Sequence, residues 1–212
     1  VVPILIIKGI PAWIWRKVFH TPVIKGILKV FTQPLIAILL FNLAFSIYHI
    51  PAVFDFSKSS QLAHTLISIT LFFLALCMWW PVTTTVKEMD KMHPLVKIAY
   101  MFGNGLLITP ACALIIFASD PLFAAYSSEG AWLQALSLCV PASVLQGISS
   151  TLSGAEMFSP MSTVEDQQTG GIIMQTIIQL VYALVIGRVF FVSFKNKSEK
   201  IDPLPVSTVS EK

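Results

Sequence analysis

Charge is what this 212-residue chain has least of: Asp, Glu, Lys and Arg make up 12% of it, where a soluble domain carries about a quarter. With 55% hydrophobic residues beside that figure, the composition excludes an ordinary water-facing globule and fits an integral membrane protein. A net charge of +3, with the cations gathered in loops, excludes a nucleic-acid partner and leaves the lipid bilayer as the surface the chain meets. Cysteine is scarce too. Cys77, Cys112 and Cys139 lie in apolar runs without CxxC spacing, which excludes a disulfide framework or a thiolate zinc site. Neither a Walker-type nor a Rossmann-type glycine pattern occurs, and no serine, histidine and acid stand at hydrolase spacing, so no enzymatic activity is expected.

What the chain does have is long apolar runs. A bilayer crossing needs about 20 mostly apolar residues, and four runs qualify, at about 31–50, 62–80, 96–118 and 171–194. The fold class is therefore all-α, a polytopic transmembrane bundle over residues 1–197. Lys8, Arg16, Lys17, Lys25 and Lys29 precede the first run with no acid among them, which the positive-inside rule places in the cytoplasm. Trp13 and Trp15 fit an interfacial belt there, as do Trp79 and Trp80 at the end of the second run. Lys87, Lys91 and Lys97 agree with a cytoplasmic loop, and the tail with Lys195, Lys197 and Lys200 returns to that side. Residues 198–212 are expected to be disordered. The opening run VVPILIIKGIP is too short to span and has no signal-peptide layout, and it is expected to be the end of a helix that begins upstream.

Residues 131–151 pose the topology problem. Counted as a span, they would put the basic tail outside. The segment is broken by Pro141 and sets Gln134, Ser137, Ser143, Gln146 and Ser149 at helical spacing beside an apolar face. It is expected to be an amphipathic or re-entrant segment on the outer face.

Two histidines bracket the turn between the first two spans. His49 ends one run and His64 begins the next, so a hairpin would bring both rings to one depth at the outer face. An ionisable side chain at membrane depth is a functional candidate with a partner to be named, and each ring is the other's candidate partner. Met157 and Met161, in EMFSPM, and the carboxylates Asp55, Glu165 and Asp166 are expected on the same face. Imidazole suits copper, zinc and iron, and thioether sulfur adds a preference for Cu(I). His49, His64, Met157 and Met161 are thus candidate copper ligands, with Asp55 and Asp166 able to orient imidazoles from behind. Two readings stand beside this: a b-type haem held by the two histidines, and a scaffold in which they only hydrogen-bond. His20 and His93 lie in hydrated loops and are given no role.

Tyr48, His49, Pro51, Asp55, His64, Trp79, Trp80 and Pro81, followed by Asp166, Gln167, Gln168, Gly170 and Gly171, resemble the multi-span CtaG family of bacterial cytochrome c oxidase assembly factors. The resemblance covers about residues 1–195. It implies a plasma-membrane protein needed to make active oxidase, handling copper for the oxidase copper centres, with oxidase subunits as partners. His49 and His64 match family histidines; Met157 and Met161 are added on chemical grounds alone. The family carries an H-M-x-x-H-type motif before the equivalent of Val1, which this sequence lacks.

Overall fold

The computed structural model describes residues 2–90, 92–127, 131–141, 143–145 and 161–201. Among them the chain is helical with no strand, the form that satisfies backbone polar groups inside lipid. The helices are α1 (Val2–Gly9), α2 (Ala12–His20), α3 (Pro22–Phe31), α4 (Pro34–Tyr48), α5 (Pro51–Ser59), α6 (Gln61–Thr83), α7 (Pro94–Ile116), α8 (Ala124–Ser127), α9 (Ala131–Ser137) and α10 (Thr163–Ile201). A 3-10 turn lies at Lys87–Met89.

Among the described residues three helices are long and apolar enough to cross a membrane: α6, α7 and the Thr163–Lys195 part of α10. At 23 residues each, α6 and α7 are about 34 Å long, enough for a hydrocarbon core of about 30 Å. The run at 31–50 departs from the expected continuous span. Prolines divide it: Gln33 and Ile50, each just before a proline, are extended, as the proline ring requires of its predecessor. That leaves α4 at 15 residues, about 22 Å. The stretch expected as an outer turn is helix α5, bent by 77° from α4, and the pair would count as one broken span.

The last helix is longer than 171–194 because its start is set by a reciprocal cap. The Ser162 amide and hydroxyl both donate to the Glu165 carboxylate (2.8 and 2.9 Å), and the Glu165 amide donates back to the Ser162 hydroxyl (3.3 Å), a capping box. It continues to Ile201; of the expected tail, residues 202–212 lie outside the described residues. In the segment 131–151, Ala131–Ser137 is helix and the chain turns before Pro141. Residues 146–151 lie outside the described part.

The tryptophans expected at an interface divide. Trp13 is exposed, whereas Trp79 and Trp80 are each only 5% exposed. Trp15 packs edge-on against Trp80 at 4.9 Å between centroids, Phe19 lies 4.8 Å from the same ring, and the Trp15 indole donates to the Ile7 carbonyl (3.2 Å). These rings clamp α1 and α2 onto the end of α6.

The spans are joined inside the bundle by amides. Asn42 on α4 donates to the Asn104 side-chain oxygen on α7 at 2.5 Å, and Asn104 donates to the Tyr182 hydroxyl on α10 (2.7 Å) and to the Met78 sulfur on α6 (3.1 Å). Tyr100 closes the cluster by donating to the Met78 carbonyl (2.9 Å). Without water to compete, such bonds hold transmembrane helices together. The close approach of α7 and α10 needs Gly171, where an added Cβ would meet Ile116 at 2.9 Å and Ile115 at 3.1 Å.

Candidate functional site

The end of the bundle where α4 stops and α6 starts carries both histidines. His49 caps α4, its amide bonded to the Phe45 and Ser46 carbonyls, and Pro51 turns the chain away into α5. The ring is 8% exposed, lies 4.3 Å from the Phe45 ring and meets Tyr48 edge-on at 5.2 Å. Its Nδ1 is 2.7 Å from the Phe45 carbonyl oxygen. A carbonyl only accepts, so Nδ1 bears the proton and the neutral ring keeps its lone pair on Nε2. This backbone bond is the kind that fixes the tautomer of metal-binding histidines.

His64 sits in the first turn of α6, which Ser60 caps by accepting from the Ala63 amide (3.1 Å). Its Nε2 is 3.9 Å from the Cys139 sulfur. Cys139 comes two residues after α9, and α9 is held in place by Gln134, which donates to the Ser59 carbonyl (3.2 Å). The thiol is exposed, and its contact with His64 sets it at the start of α6. No hydrogen bond joins His49 to His64 among the described residues.

Asp55 turns elsewhere. Its two carboxylate oxygens accept from the Ala124 and Ala125 amides (3.1 and 3.0 Å), while Phe54 stacks on Phe123 at 4.4 Å. The carboxylate therefore anchors α8. The Asp166 amide bonds to the Ser162 carbonyl (2.9 Å) in the first turn of α10, and the side chain is exposed. Its neighbours perform a related service: Gln167 accepts from the Leu122 amide (2.8 Å) and Gln168 donates to the Ala118 carbonyl (2.8 Å). D-Q-Q-x-G-G thus reads as a clamp on the loop after α7, with Gly171 permitting contact. Met161, just before α10, accepts from the Thr169 hydroxyl through sulfur at 3.9 Å. Met157 lies outside the described residues.

Among the described residues no group of three or more His, Cys, Asp and Glu side chains is arranged to hold a metal ion. At this end the structure sets the His64 imidazole beside the Cys139 thiol, nitrogen and sulfur donors of the kind that bind soft metals. Sequence reasoning set Cys139 aside because it lies in an apolar run. Asn42 and Asn104 were missed as well, though an amide in the middle of an apolar span is the available signal.

The model of the family described as cytochrome c oxidase caa3 assembly factor matches residues 1–196. No curated protein and no solved structure matches the chain. The chain belongs to the caa3 assembly-factor family.

Proposed function

We propose that this caa3 oxidase assembly factor binds copper as cargo at the His49 and His64 end of the bundle and hands it to the oxidase. Its partner on this reading is an oxidase subunit with a copper centre, and it catalyses no reaction. The copper end faces away from the cytoplasm of a bacterium, with the C-terminal tail inside.

The observation that carries the reading is the 3.9 Å between His64 Nε2 and Cys139 Sγ. With zinc bond lengths as a guide, about 2.3 Å to sulfur and about 2.0 Å to imidazole nitrogen, two ligands of one metal lie about 3.5 Å apart at a tetrahedral angle and about 4.3 Å apart in a straight line. The pair falls between these limits. Thiolate and imidazole take Cu(I) and zinc alike, and it is thioether sulfur that adds a preference for Cu(I); His49 offers Nε2 as a further donor from the same end. Met157 and Met161 extend the set with weak ligands. An exposed site of few ligands suits cargo that must leave again.

The test is copper analysis of the purified full chain after Cu(I) loading, beside His49→Gln, His64→Gln and Cys139→Ala. The expected result is about one Cu(I) per wild-type chain, with the His64 and Cys139 variants losing most of it. Equal copper in every preparation, or a Soret band showing haem, overturns the reading.

A further inference from the structure

Gln179 on α10 is an exposed residue, and it stands at the middle of the bilayer. It lies sixteen residues from either end of the Thr163–Lys195 span. Its side-chain amide donates to the carbonyl of Gly105 (3.3 Å), itself eleven residues from either end of α7, so two helix midpoints meet at one depth. Gly105 makes room for the contact, because a Cβ there would come within 3.1 Å of Gln179 Oε1. The bond uses one of the two N–H groups of the amide. Among the described residues Gln179 makes no other hydrogen bond, which leaves one N–H and the oxygen over. Hydrocarbon offers them neither an acceptor nor a donor. Polar side chains at this depth turn to a protein neighbour instead.

The surroundings favour a helix as that neighbour. α10 packs on α7, and only 6% of its most apolar stretch is buried, against 44% for α7. Beside Gln179 a cleft of about 210 Å³ opens between the two helices, with Phe102, Leu106, Ala183 and Ile186 in its lining. It is smaller than the roughly 300–1,000 Å³ of a small-ligand site, and takes side chains rather than a free molecule. Ala183 and Gly187 follow Gln179 at four-residue spacing, on one edge of α10. Ala183 is exposed, and a Cβ at Gly187 would meet nothing within 4 Å. Small residues at this spacing let another membrane helix come close.

We propose that this edge of α10 pairs with the same edge of a second copy of the chain, Gln179 against Gln179. The leftover donor and acceptor of the amide are complementary to themselves. Across a two-fold axis along the membrane normal, each free N–H meets the other copy's oxygen, giving two reciprocal bonds. Copies inserted in the same direction hold Gln179 at the same depth by construction, whereas any other partner needs a polar group of its own at the midplane. Such self-matched two-fold pairs are the commonest oligomers. The pairing is separate from the copper end, and neither reading depends on the other.

Light scattering of the full chain in mild detergent and oxidative cross-linking in its own membrane test this. Wild type is expected at twice the chain mass. With Cys139→Ser removing the exposed native thiol, Ala183→Cys is expected to cross-link to its copy. Ile177→Cys is not, since this exposed position lies about 120° away round the helix. Gln179→Leu is expected to weaken the dimer about tenfold. Gly187→Leu, whose Cβ enters open space within the chain, is expected to weaken it at least as much and to leave the melting temperature of the monomer unchanged. Should Gln179→Leu fail to fold, Gly187→Leu and the contrast between the two cross-linking positions decide the matter. A wild type that is monomeric in detergent and not cross-linked in the membrane overturns the proposal. So does a dimer that both leucine variants leave intact, or an Ala183→Cys variant that links only to a different membrane protein, which would give this edge to another protein's span.

Discussion

Asn104 on α7 donates a 2.7 Å hydrogen bond to the hydroxyl of Tyr182 on α10, and the same amide receives the Asn42 bond from α4. With its bond to the Met78 sulfur on α6, one fully buried side chain thus links four helices. Asn104→Leu leaves the Asn42 amide and the Tyr182 hydroxyl without this partner in a medium that cannot replace it. Unfolding stability is expected to fall by about 1–3 kcal/mol, read from a denaturing-detergent titration. Unchanged stability would mean that packing alone holds the spans.

Two glycines one helix apart should respond in opposite directions. At Gly171 an added methyl meets Ile116 and Ile115 below normal contact distance, whereas at Gly103 it meets nothing within 4 Å. β-branched chains on a helix have little rotamer freedom to yield, so Gly171→Ala is expected to cost about 1–3 kcal/mol through overpacking. Gly103→Ala is expected to be neutral, or to stabilise by up to about 1 kcal/mol through helix propensity. Thermal melting of both variants in the same detergent checks the contrast.

The membrane class and three of the four spans were legible in the sequence because hydrocarbon leaves one backbone solution for a long apolar run. The run at 31–50 was legible as apolar but not as broken: α4 stops at Tyr48, α5 restarts at Pro51 with a 77° bend, and the pair would count as one span. Trp79 and Trp80 were placed at an interface by residue type, but α1 and α2 fold over Trp80 and bury it. At that end of the bundle the two histidines were candidates by position alone. Cys139 was not, because its approach to His64 depends on α9 docking against α5, a contact between residues 75 apart in the chain. Asp55 was expected to be able to orient an imidazole; the contacts the structure adds, its oxygens accepting from the amides of Ala124 and Ala125, were not legible in the sequence.

That anchoring role gives a local prediction. Asp55→Ala removes both acceptors from the Ala124 and Ala125 amides, a cap whose loss is worth roughly 0.5–2 kcal/mol. Hydrogen exchange of peptides covering residues 120–127 is expected to accelerate, while peptides around Asn104 keep their protection. Uniform acceleration across the chain would assign Asp55 to the global fold instead.

Cys139 also provides a test of orientation. The chain has three cysteines; Cys77 and Cys112 are buried within α6 and α7, and Cys139 is exposed. A membrane-impermeant maleimide applied to intact cells should therefore label one thiol, and only if the His49 and His64 end faces outward. Cys139→Ser is expected to abolish the signal, and lysing the cells first should leave the wild-type signal unchanged. Labelling that appears only after lysis would put the thiol inside, invert the charge-based topology and remove the copper end from the side on which the proposal places it. Loading with Cu(I) beforehand sharpens the result, because a thiolate bound to metal is a poor nucleophile. Protection of Cys139 in wild type, lost in His64→Gln, would report that the 3.9 Å pair closes on one ion. Labelling at the same rate with and without copper would show that the thiol and the imidazole are neighbours and nothing more.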